Sequence, residues 1–151
     1  MKRITRERPR IDRIACTWLI TRYIDDTPEF PYVPSGDIVR IAAETRATPY
    51  YVPSVEVGHH GNRCSFDAFI AKYAIKEAAL DKLALIVRAA DTGLPELVDE
   101  AAGVLAISRG LSMNFVDDHQ MLSQGMVIYD ALYAICSKAP LTRPSKAWGR
   151  Q

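Results

Sequence analysis

Hydrophobic positions recur mostly at helical spacing. Ile11, Ile14, Ala15, Trp18 and Leu19 fall three or four residues apart, which predicts a helix over residues 11–23. Phe30-Pro31-Tyr32-Val33-Pro34 is a short extended run fenced by prolines, as at a sheet edge. Asp37 opens a short helix to residue 45. Residues 50–57 are rich in β-formers, and Pro53 admits only an edge position or a break. Ser65 is the expected N-cap of a helix carrying Phe66, Phe69, Ile70 and Tyr73. Further helices are predicted over 77–90, from Pro95 to Gly110, and over 114–136. The predicted fold class is α+β, predominantly helical, with about six helices and a small two- or three-stranded β element.

The ends differ from this pattern. Residues 1–10 carry Lys2, Arg3, Arg6, Arg8, Arg10 and Pro9, and read as a loose basic arm. Residues 138–151 mix Pro140, Pro144, Ser145 and Gly149 with basic side chains, and read as a flexible tail. The expected organisation is an arm over 1–10, one domain over 11–137 and the tail.

Chemistry enters through polar residues on apolar stripes. On the last helix Phe115, His119, Leu122, Met126, Tyr129 and Tyr133 share a face, which puts His119 inside the stripe. Asp91 ends the stripe of Leu80, Ala84 and Val87 and should also face inward, where a carboxylate needs a partner. His59 and His60 sit between Gly58 and Gly61, whose backbone lets a ligand approach closely. Together His60, Asp91 and His119, with His59 and Asp118 next, are candidate ligands of one divalent metal. Imidazole nitrogen and carboxylate oxygen suit iron or zinc, and also manganese. Each residue has a plainer reading: His119 as a core histidine, His60 in a turn, Asp91 capping Thr92-Gly93, and Asp117 and Asp118 as first-turn helix residues.

The sequence has 151 residues, with 19 lysines and arginines against 18 aspartates and glutamates. A formal charge of +1 argues against bulk electrostatic binding to nucleic acid or membrane. No apolar run approaches the ~20 residues of a membrane span, and no signal-type segment follows the N-terminus. Three cysteines, without scaffold spacing, fit free thiols in a reducing cytoplasm.

Cys64 lies at a predicted helix N-terminus beside Arg63, where a thiol pKa falls and reactivity rises; the plainer reading is a small buried hydrophobe. Arg63 with the N–H groups at the start of that helix could hold an oxyanion. Cys16 and Cys136 read as packing residues. Arg88 and Asp91 have salt-bridge spacing. The arginines of the arm read as solvated or as part of an interface, and a homo-oligomer stays open.

Four stretches carry a family resemblance: 12–20 (DRIACTWLI), 58–67 (GHHGNRCSFD), 86–91 (IVRAAD) and 115–119 (FVDDH). Through them the chain resembles the C-terminal domain of the chromate-resistance protein ChrB, over residues 10–137. The family often has proline where this chain has Thr17, which touches no proposed ligand. The resemblance implies a role in bacterial chromate resistance, with chromate or a similar oxyanion as partner. Full-length members look like regulators with a further N-terminal domain, so DNA binding is not carried over. The functional expectation is a cytoplasmic metal-binding domain that senses or processes an oxyanion, whether as enzyme or not. The alternatives are a non-enzymatic ligand-sensing module and a metal-dependent hydrolase unrelated to chromate.

Overall fold

A computed structural model describes residues 1–50 and 63–138. Ten elements of regular structure place the site. They are β1 (Arg3–Arg6), α1 (Ile11–Leu19), β2 (Tyr32–Val33), α2 (Ile38–Thr45), β3 (Thr48–Pro49), α3 (Ser65–Lys72), α4 (Ala78–Asp91), α5 (Asp99–Asn114) and α6 (Asp118–Lys138), with α1 running into a π-helical turn, Ile20–Ile24. The fold is α+β and predominantly helical, as the hydrophobic spacing predicts.

The sheet is small and parallel, in the order β2-β1-β3. Thr5 pairs with Tyr32 and Arg6 with Val33, while Arg3 pairs with Thr48 and Ile4 with Pro49. The proline thus sits on an edge strand, where its missing N–H costs no ladder bond. The central strand comes from the segment expected to be a loose arm, and that expectation is corrected. Alternation explains why it is held. Ile4 points into a small core with Ile38, Ala42 and Ala47. Its neighbours Arg3 and Thr5 point the other way, Thr5 Oγ1 donating to Tyr50 O at 3.0 Å. Buried Arg3 donates to the Tyr73 hydroxyl at 2.7 Å and packs over the Phe69 and Tyr73 rings.

Helix α1 is buried along its whole length and forms the axis of the main core. Such a helix must satisfy its polar side chains internally. Thr17 donates to Arg13 O at 2.8 Å and lies 2.9 Å from the Tyr50 hydroxyl. Trp18 donates its indole N–H to Asp130 of α6 at 2.8 Å. Helices α3, α4 and α6 pack around α1.

Helix α6 presents Met121, Gly125, Tyr129 and Cys136 to the core. Leu122, Met126 and Tyr133 of the expected stripe pack against the same core beside Tyr129, while His119 is exposed. Gly125 lets Ile14 of α1 approach so closely that a Cβ there would lie 2.6 Å from Ile14 Cγ2.

Candidate functional site

The turn from β1 into α1 gathers arginines. Arg13, in the first turn of α1, is 4% exposed. Its guanidinium donates to Arg8 O at 2.9 Å and Arg6 O at 3.4 Å, which pins the incoming chain. Arg6, Arg10 and Arg13, with Arg109 from α5, line a cavity of about 350 Å³; Asp91 and Ser108 complete its polar wall. A second cavity of about 430 Å³ lies against the same Arg6, Arg10 and Arg13, and adds Glu7, Arg8 and Ser35.

Two features distinguish the first cavity from an ordinary charged surface. Arg6, Arg10 and Arg109 have no carboxylate partner among the described residues. Grouped like charges repel, and an anion between them converts that repulsion to attraction. The second feature is Ser108: it is buried, and its hydroxyl has no hydrogen-bond partner among the described residues. An unmet buried hydroxyl costs free energy until a ligand or water satisfies it. Guanidinium forks and a hydroxyl are the donor set that grips an oxyanion.

Beside the cavity lies a buried carboxylate. Asp12 Oδ2 accepts the Ser65 N–H and Oδ1 the Phe66 N–H, both at 2.9 Å, so Asp12 occupies the N-terminus of α3. Burial pushes the Asp12 carboxyl up to about 6; the charge of Asp91 adds to this, and the two N–H groups oppose it.

This arrangement corrects several expectations. The N-terminus of α3 is filled by Asp12 and does not stand open for an oxyanion with Arg63, which is exposed. Cys64, not Ser65, is the N-cap. Its Sγ lies 3.4 Å from Asp67 Oδ2, and burial followed by the Asp12 charge pushes the thiol up. The activated thiol expected from sequence is therefore replaced by a buried, protonated one, and all three cysteines are buried and free. Arg88, expected to pair with Asp91, approaches Asp67, its Nε 3.9 Å from Oδ2.

The proposed metal ligands do not gather as expected among the described residues. Asp118 accepts the Arg8 N–H at 2.8 Å and an Arg8 guanidinium N–H at 3.1 Å. His119 is exposed, its ring 5.2 Å from that of Tyr32. Asp91 stands in the cavity wall. His59 and His60 lie outside the described residues. Among the described residues no three His, Cys, Asp or Glu side chains come together as a metal group. Asp117, read as a first-turn residue, caps α6 by accepting the Gln120 N–H at 2.8 Å.

Sequence reasoning missed Arg109 and Ser108, and gave Asp12 no role. Nothing in local spacing marks Ser108 or Arg109; only the packing of α5 beside the β1–α1 turn brings them to Arg13. For Asp12 a signal existed: an acidic residue in a helix that proves buried on every side must find donors.

These features sit in a chain that matches the family ChrB, C-terminal domain, over residues 3–136, and the chain belongs to that family. It is 29% identical over 130 residues to Protein ChrB of Cupriavidus metallidurans strain CH34. That alignment covers 85% of this chain and 39% of the relative, so the chain spans about two fifths of its length. No solved structure matches it. Among the described residues no helix is long and apolar enough to cross a membrane.

Proposed function

We propose that this chain is an anion-binding domain serving chromate resistance, which holds chromate or a similar oxyanion through Arg6, Arg10, Arg13, Arg109 and Ser108. The family supports the biological role. One observation carries the site: a buried hydroxyl without a partner among the described residues faces a cavity whose exposed guanidinium groups form no ion pair with them. These groups hold charge, so the reading is a ligand-binding module acting in the cytoplasm, where three free thiols persist.

Calorimetric titration of the full chain with chromate, sulfate and phosphate at low ionic strength tests it. Wild type is expected to bind at least one of these, more weakly as salt rises. Ser108→Ala and Arg109→Gln should each weaken binding about tenfold, or ~1.4 kcal/mol. Equal affinity in both variants and wild type, or no binding at all, overturns the proposal.

A further inference from the structure

The first cavity is large for a bare oxyanion. At about 30 Å³ per water, its volume of about 350 Å³ would take roughly a dozen waters. A five-atom oxyanion replaces roughly two or three of them. The volume belongs to the range of organic ligand pockets.

The second cavity makes the excess specific. It shares Arg6, Arg10 and Arg13 with the first, and adds Arg8 and Ser35 beside one carboxylate, Glu7. Arg8 is held in place: its guanidinium donates to Val116 O at 2.8 Å, to Ser112 O at 2.5 Å and to Asp118. The two chambers therefore adjoin at these three arginines, which line both. A guanidinium carries five N–H donors in a fork, enough to serve two acceptors at once.

We infer that the ligand of this site carries two anionic groups on one molecule, a diphosphate-like anion with one group toward each chamber and the shared arginines contacting both. This deepens the anion-binding reading and rests on it. Joining two anionic groups makes the second contact intramolecular, so affinity rises without new protein contacts. Tetrahedral phosphoryl groups suit the density of guanidinium forks better than carboxylates do, because each offers three oxygens to two-pronged donors.

Titrations of the full chain with orthophosphate, pyrophosphate and succinate test this at fixed ionic strength. Pyrophosphate should bind at least about tenfold more tightly than orthophosphate, and more tightly than succinate. Ser35→Glu puts a negative charge in the second chamber only. It should reduce pyrophosphate affinity about tenfold and orthophosphate affinity by less. Val39→Glu, at an exposed position outside both chambers, adds the same charge and should leave the ratio unchanged. The inference is overturned if pyrophosphate gains nothing over orthophosphate, if succinate binds as tightly, or if Ser35→Glu and Val39→Glu act alike. If orthophosphate still binds and responds to Ser108→Ala, only the two-headed ligand is lost. If no anion binds, the underlying reading falls with it.

Discussion

Asp12 caps the helix that begins at Ser65, its Oδ2 accepting the Ser65 N–H at 2.9 Å across 53 residues of chain. The capping group is thus supplied by another helix. A carboxylate at a helix N-terminus is favoured by the N–H groups and the dipole there. Here burial outweighs them, and the net effect is a carboxyl raised to about 6 from its ordinary 3.8. A folded-state pKa above the unfolded one stabilises the fold fully below about 3.8, and that contribution is lost as pH rises through about 6. A shift of about two units corresponds to on the order of 3 kcal/mol. Denaturant unfolding of wild type and Asp12→Asn from pH 4 to pH 8 should show the stability difference shrinking over this window. Parallel curves would show that Asp12 is not shifted. Asp12→Ala strands two buried N–H groups and should cost about 2–4 kcal/mol at pH 4.

The Cys64 thiol is predicted to be inert in the native protein. It is buried, and both burial and the Asp12 charge disfavour the thiolate. Reaction with an aromatic disulfide at neutral pH should then wait on opening of the structure, at least about a hundredfold slower than in denaturant. A fast phase of one equivalent in native wild type, absent from Cys64→Ser, would restore the reactive thiol.

The helices were legible because each repeats apolar residues at three- and four-residue intervals, and that periodicity survives in the packed molecule. β1 was hidden because Arg3-Ile4-Thr5-Arg6 offers one apolar residue between charged ones. Its partners, the Phe69 and Tyr73 rings over Arg3 and the Tyr50 carbonyl for Thr5, lie far along the chain. The site was half legible. Arg6, Arg8 and Arg10 were noticed, but as a solvated arm, because only a central strand leading into a buried helix turns them toward Arg13. His119 reads as inward by its spacing to Leu122 and Met126, yet it lies at the start of α6, where Asp117, His119 and Gln120 are exposed. Counting apolar residues alone gives Gly125 no weight, yet its missing side chain sets the face that meets α1.

Since His119 is exposed and touches Tyr32 by its ring, His119→Ala should change stability by no more than about 1 kcal/mol. Thermal unfolding of the metal-free protein measures this. A loss of about 3 kcal/mol or more would return His119 to the core stripe that the sequence suggested.

Gly125 and Ile14 set the distance between α6 and α1, and the consequence can be measured from both sides. An added Cβ at residue 125 would lie 2.6 Å from Ile14 Cγ2, well inside contact distance, where α6 meets the buried α1. Neither helix can retreat cheaply, because Tyr129 donates its hydroxyl to Ile11 O at 2.9 Å and Trp18 is bonded to Asp130. Gly125→Ala gains helix propensity of about 1 kcal/mol, but overpacking costs about 1–3 kcal/mol, and a net loss is expected. Ile14→Ala removes the clashing methyl and should cost about 2–5 kcal/mol alone through the cavity it leaves. In the double variant the new methyl enters space that Ile14 vacated. The two losses should therefore fall short of additivity by at least about 1 kcal/mol in a double-mutant cycle of denaturant unfolding. Strict additivity would mean that the helices do not meet at this pair.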